Sequence, residues 1–206
     1  MLLKVHPDNP GLRHLKIVIE CLLDGGVIIY PTDTVYALGC DITKIRAVER
    51  VARIKGVKLD KAKFSLICSS LSQLSDYTRP INNHIFRIMK RVLPGPYTFI
   101  LNANNNVPRF FQSKKKTVGI RNPDHLVPVQ LVEQLGNPIM TTSLHHEDEI
   151  IDYLTDPEEI FEKFNTLVDI VIDSGYGGLI PSTVVDCTKD EPVIVREGLG
   201  DTELIR

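Results

Sequence analysis

Three clusters of small hydroxyl residues stand at the ends of strand-like runs: Thr32 and Thr34 in YPTDTVYALGCD, Thr141, Thr142 and Ser143 in IMTTSLH, and Ser182 and Thr183 in PSTVVD. The third follows the glycine-rich stretch GYGGLIP. Glycines let backbone N–H groups approach an anion closely, and serine or threonine hydroxyls add donors that fit phosphate oxygens. Taken singly, such clusters also match strand-end caps and side-chain turns. A shared site gains weight from the cations available to it: Lys55, Lys58, Lys61 and Lys63 in IKGVKLDKAKFS, Lys114, Lys115 and Lys116 ahead of Arg121 in SKKKTVGIRNP, and Arg196 in VREG. Arg121 and Arg196 each close an apolar strand and precede a turn. Their guanidinium forks would project from a sheet end with a geometry suited to carboxylate or phosphate, and a structural salt bridge is the competing reading for each. The KKK run reads first as a solvated face.

Other chemistries find less support. Neither the GxxxxGK[ST] phosphate loop nor the GxGxxG fingerprint occurs. His145 and His146, ahead of Glu147, Asp148 and Glu149, lack a third metal ligand at a defined spacing and read as an exposed acidic loop. His125 reads as a helix N-terminal residue. Cys21, Cys40, Cys68 and Cys187 form no CxxC pair, which suits buried thiols better than a zinc site or a disulfide scaffold. No Ser-His-Asp order emerges, so covalent catalysis has no positive signal and the catalytic residues stay unassigned.

The elements that must position these residues follow from periodicity. LRHLKIVIECLLDGG predicts a helix stopped by Gly25-Gly26, and VIIY a buried strand. KIRAVERVARIKG, LSQLSDYT, NNHIFRIMKRVLPG, a segment from about Pro123 to Gly136, and Asp156 to Phe164 predict further helices. KFSLICS, PYTFILNA, KTVGIRNP, IMTTSLH, VDIVIDSG, STVVDCT and PVIVREG predict strands. Strands and helices interleave without repeats or low-complexity linkers. This points to a single α/β domain over residues 1–206, in which helices flank a large twisted sheet. STVVD and PVIVR lie close enough for a hairpin, so the sheet should be mixed.

The chain has 206 residues, 43% of them hydrophobic, no tryptophan and a net charge of −2, enough to bury a substantial core. Near-neutral charge means that nucleic-acid binding must come from a local basic patch. No apolar run approaches the about 20 residues needed to span a bilayer, and the start MLLKVHPDNP lacks the layout of a secretory signal. No membrane association is expected, and the cytoplasm is the expected compartment.

Taken together, YPTDTVYALGCD, the helix ending in IK, LPGPYTFIL, TVGIRNPDH, GNPIMTTS, PSTVVD and VREG resemble the YrdC/YciO family over nearly the whole chain and in the family's order. The HPDNP start and the length are most similar to the YciO branch. The resemblance implies a YrdC-like fold with a concave, basic cavity. It also implies an activity like that of threonylcarbamoyl-AMP synthases: L-threonine, bicarbonate and ATP give threonylcarbamoyl-AMP and diphosphate for the N6-threonylcarbamoyladenosine modification of tRNA. ATP, with Mg²⁺ as its counterion, enters as substrate, and no tightly bound cofactor is implied. AMP, tRNA and double-stranded RNA are further partners that the resemblance brings. It places Thr34, Arg121 and Ser182 against threonine and Lys55, Thr141, Ser143 and Arg196 against the nucleotide. Lys58, Lys61, Lys114, Lys115 and Lys116 are then candidate RNA or phosphate contacts.

Two positions depart from the pattern. The arginine of the family's KxR pair is Val57, and the asparagine of its SxN pair is His145; KLDKAKFSL also lacks the family's proline-rich loop. Loss of a buried phosphate clamp costs on the order of 2–5 kcal/mol by analogy with truncated charge pairs. Two alternatives to the synthase are a non-catalytic RNA-binding protein and a hydrolase that removes the threonylcarbamoyl group from the adenylate or from tRNA.

Overall fold

Leu15, Val18, Ile19 and Leu22 recur at helical spacing and are all buried, so the amphipathic pattern of the first helix, α1 (Leu12–Leu23), is met by a packed face. The computed structural model describes residues 1–111, 116–144 and 154–205, with Asp60 described in its backbone alone. The further helices are α2 (Ile45–Ile54), α3 (Leu71–Ser75), α4 (Asn83–Val92), α5 (Leu126–Leu135) and α6 (Pro157–Phe164). The strands are β1 (Leu2–Lys4), β2 (Val27–Tyr30), β3 (Ala37–Asp41), β4 (Ser65–Ile67), β5 (Tyr97–Asn102), β6 (Thr117–Arg121), β7 (Ile139–Ser143), β8 (Ile170–Asp173), β9 (Thr183–Asp186) and β10 (Val193–Arg196).

These strands form one 10-stranded sheet in the order β1-β8-β2-β3-β7-β4-β6-β5-β9-β10. It is mixed: β1 and β2 run parallel to β8, β4 to β6 and β5 to β9, while the other neighbours are antiparallel. The expected hairpin is β9 with β10. Two strands escape the sequence pattern. In β3 all five residues of ALGCD are buried, so no polar alternation marks it, and β1 is only three residues long. Helix α5 begins three residues beyond Pro123. The Asp124 N–H goes to the Asp33 carboxylate at 3.1 Å, and His125 caps the helix by accepting from the Val127 N–H at 3.2 Å.

Side-chain alternation divides the sheet. Leu38, Leu66, Phe99, Ile120, Met140 and Val185 point into the larger core, where α2, α3, α4 and α6 bury Val48, Leu74, Met89 and Ile160. On the other face, Ile28, Tyr30, Ala37, Ile139 and Ile172 pack under α1 and α5 with Leu15, Val18, Leu22 and Leu131. That second helical layer covers the β1 to β7 side and ends on β4, where Ile67 is its last buried residue. Beyond it, the alternate residues of β5, β6 and β9 line an open cavity.

Candidate functional site

On β5 the residues between Tyr97, Phe99 and Leu101 are Thr98 and Ile100; on β6 those between Val118 and Ile120 are Thr117, Gly119 and Arg121. With a period of two, they fall on the uncovered face. They line a cavity of about 750 Å³ together with Ser182 and Val184, Ser65 and Thr141, Thr142 and Ser143. The Lys55-Gly56-Val57 turn closes one side, Ala62, Lys63 and Phe64 another, and Val195 and Arg196 the far edge.

The described lining residues include four cations, Lys55, Lys63, Arg121 and Arg196, and no carboxylate. A wall of this composition attracts an anion and offers no carboxylate set to hold a bare divalent cation. Among the described residues, no group of three or more His, Cys, Asp or Glu is placed to bind a metal ion.

Arg121 is buried, and its NH2 group donates both to Asp33 Oδ1 at 2.8 Å and to Thr34 Oγ1 at 2.9 Å. Asp33 is as buried as Arg121, and its second oxygen accepts the Asp124 N–H. The guanidinium is thus clamped in place, yet its Nε is buried without a hydrogen-bond partner among the described residues. An unsatisfied buried donor costs roughly 1–3 kcal/mol, and more when charged.

The turn that presents Thr34 is held by its own hydroxyls. Thr32 Oγ1 donates to Val35 O at 2.7 Å and accepts the Thr34 N–H at 3.1 Å. Because Thr32 has spent its proton on that carbonyl, Thr34 is the donor in the 3.1 Å contact between the two hydroxyls. Thr34 therefore lies behind Arg121, outside the cavity wall, and bears on the site through the guanidinium. The glycine-rich loop locks the same turn from outside, with Gly178 N donating to Thr34 O at 2.7 Å.

Lys55 is buried at the C-terminus of α2 and donates from Nζ to Ser143 O at 2.9 Å, which ties the helix end to the end of β7. Thr98 and Ser182 share a hydrogen bond of 2.8 Å, and Arg196 reaches Ser182 O at 2.8 Å. Tyr30, fully buried, donates to Thr141 Oγ1 at 2.6 Å, and burial pushes its phenol well above the ordinary tyrosine range.

The cavity thus brings together Arg121, Ser182, Lys55, Thr141, Ser143 and Arg196 from five separate segments. Lys58, Lys61 and Lys116 are exposed and lie outside the lining; Lys63, two residues beyond Lys61, takes the place in the wall. Lys114, Lys115, His145 and His146 lie outside the described residues. Cys40, Cys68 and Cys187 are buried free thiols and Cys21 is partly buried, as their contexts predict. Thr98 and Ser65 escaped the sequence reading, and Lys63 stood there only as one of several available cations. For Thr98 a signal existed, since it alternates with Tyr97 and Phe99 on the same face as Arg121; the choice of Lys63 over its neighbours and the pairing of Asp33 with Arg121 come only from the folded structure.

Comparison with known proteins follows the same outline. The Sua5_yciO_yrdC family model, described as Telomere recombination, matches residues 20–198. The uncharacterized protein YciO of Escherichia coli strain K12 is 45% identical over 200 residues, covering 97% of this chain and 96% of its own. The crystal structure of E. coli YciO matches with a TM-score of 0.93 at 42% identity, over 100% of this chain and 99% of that one. A threonylcarbamoyl-AMP synthase of Pyrococcus abyssi is 30% identical over 185 residues, 89% of this chain and 54% of its own length. The crystal structure of P. abyssi Sua5 complexed with L-threonine matches with a TM-score of 0.87 at 28% identity, over 96% of this chain and 57% of that one. Among the described residues, no helix is long and apolar enough to cross a membrane.

Proposed function

We propose, from the premise that the chain belongs to the Sua5/YciO/YrdC family, that its cavity holds L-threonine beside an adenine nucleotide, as substrates or joined as threonylcarbamoyl-AMP. Arg121 carries this reading. Its guanidinium lines the cavity and is fixed from behind by Asp33 and Thr34, a preset cation of the kind that pairs with a carboxylate. The complex of P. abyssi Sua5 with L-threonine supports threonine as the bearer of that carboxylate. Lys55, Arg196 and the hydroxyls of Thr141, Ser143 and Ser182 are then left for phosphate and acyl oxygens.

In the synthetic direction the threonine nitrogen attacks bicarbonate with loss of water, or CO2 with loss of a proton, and the resulting carbamate oxygen displaces diphosphate from the α-phosphorus of ATP. The protein contributes position and a preformed positive field. Mg²⁺ would arrive with ATP and keep phosphate oxygens, hydroxyls and water as its ligands, because the described lining offers it no carboxylate.

Val57 favours a second reading. It lines the cavity where the family resemblance expects an arginine, so the diphosphate portion of ATP lacks a clamp there. A site weakened toward ATP but intact toward threonine and adenylate suits removal of the threonylcarbamoyl group from the adenylate or from tRNA. The exposed Lys58, Lys61 and Lys116 would then meet the tRNA backbone. Incubation with ATP, L-threonine and bicarbonate decides between the two. Diphosphate release that requires threonine supports synthesis. Release only after Val57→Arg with His145→Asn supports the second reading, and release from neither protein counts against an ATP-dependent function.

A further inference from the structure

Three tyrosine hydroxyls anchor the site and its surroundings, and they do so differently. Tyr36 donates to Gly175 O at 2.7 Å and Tyr97 to Asp201 O at 3.1 Å. Each meets a backbone carbonyl, the ordinary way for a packed phenol to satisfy its proton. Tyr30 instead donates to a side-chain hydroxyl, Thr141 Oγ1, at 2.6 Å, and Thr141 is part of the cavity wall.

The chain makes room for this contact. Tyr30 lies on β2 opposite Ala37 of β3, while Thr141 of β7 lies opposite Gly39, so the phenol must cross β3 to reach it. A Cβ at Gly39 would stand 2.9 Å from Tyr30 Cε1 and 2.6 Å from Met140 O. Gly39 therefore leaves open the path along which the ring runs.

A threonine hydroxyl has one proton and can accept at its oxygen. With Tyr30 donating into Thr141 Oγ1 from the helix-covered side, the Thr141 proton is turned away from Tyr30. We propose that Tyr30 is a positioning residue that holds Thr141 as a hydrogen-bond donor toward an anionic oxygen of the bound ligand. The inference rests on the reading of the cavity given above and goes beyond it by assigning the orientation of Thr141 to a residue outside the wall. The anionic oxygen belongs either to the nucleotide phosphate or to the threonine carboxylate, and the two sources separate experimentally.

Calorimetric titrations with AMP alone and with L-threonine alone test this on wild-type protein, Tyr30→Phe, Thr141→Val, Thr141→Ser, the Tyr30→Phe/Thr141→Val double variant and Tyr36→Phe. Thr141→Val should weaken one ligand, which identifies the source of the oxygen. Tyr30→Phe should weaken the same ligand, each by about 3- to 10-fold, the worth of one hydrogen bond. The double variant should be no weaker than Thr141→Val, Thr141→Ser, which keeps the hydroxyl, should bind more tightly than Thr141→Val, and Tyr36→Phe should leave both affinities unchanged. Wild-type affinity in Tyr30→Phe, or losses that multiply in the double variant, would overturn the proposal while leaving the reading of the cavity intact. Wild-type protein that binds neither probe would instead overturn the cavity reading, and this inference with it. If Tyr30→Phe melts below the assay temperature, 3-fluorotyrosine at position 30 changes the donor strength with the ring in place. An affinity shift confined to the ligand that Thr141→Val weakens then supports the proposal, and an unchanged affinity overturns it.

Discussion

One face of one sheet carries two unlike halves. Under α1 and α5 its alternate positions are filled by Ile28, Tyr30, Ala37, Ile139 and Ile172, and the contact is buried and largely apolar. Across β7 the same alternation presents Ser65, Thr98, Arg121 and Ser182 to an open cavity. The backbone does not distinguish the halves, since hydrogen bonding between neighbouring strands continues from β1 to β10. What differs is the content of every second position, together with a helical layer that stops short. The covered half supplies stability, and the open half trades apolar burial for cations and hydroxyls held in place from behind.

The largest expected effect strikes the open half at its most buried point. Arg121→Ala leaves the Asp33 carboxylate buried without its cation, and breaking such a pair costs about 3–5 kcal/mol. Chemical denaturation should show that loss, and Asp33→Asn combined with Arg121→Met should recover part of it. Equal stability of the single and double variants would mean that the pair is not the clamp described.

Next comes a direct contrast between the halves. Ile28→Ala removes a fully buried side chain under α1 and should cost about 2–5 kcal/mol of stability with ligand affinity intact. Thr98→Val, nearly isosteric, should change stability by no more than about 1.5 kcal/mol and should weaken ligand binding, because Ser182 loses its partner in the wall. Denaturation curves and titrations on the same two proteins check both. If each variant lost stability and affinity together, the division of labour would fail.

The smallest effect concerns the α5 cap. Burial lowers the His125 pKa below its ordinary value of 6.5, against the opposing pull of Asp33, Asp8 and Asp124. The unfolded chain then binds the proton more readily than the folded one. Stability is full above the unfolded pKa and declines as the pH falls through 6.5 toward the lowered folded value. Melting temperature against pH should show that decline, and His125→Asn, which keeps a capping side chain, should flatten it. An unchanged slope would assign the decline to other groups.

Most elements of the sheet and its helices were legible in the sequence because periodicity reports burial on one face. The exceptions have physical causes. The β3 strand is buried throughout and shows no alternation; His125 does stand at the N-terminus of α5 as its place in the sequence suggests, while the bond from the Asp124 N–H to Asp33, distant in sequence, has no local sign. Within the site, Arg121, Arg196 and the hydroxyl clusters stood out as polar groups at strand ends. Thr34 was legible as a site residue, but its place behind Arg121 depends on a hydrogen bond across 87 residues of sequence. Tyr30 read as core, and it is buried; its contact with Thr141 spans 111 residues of sequence and three strands, and no local pattern announces it.

The central claim is that Arg121, fixed by Asp33 and Thr34, receives the carboxylate of threonine beside a nucleotide in the open half of the sheet. Its most direct test is calorimetric titration with L-threonine and with L-threoninamide, which lacks the carboxylate, each in the presence and absence of ATP. The account predicts that L-threonine binds, that ATP tightens its binding, and that the amide binds far more weakly or not at all. Equal binding of the amide, or threonine affinity that persists in Arg121→Met, would contradict it.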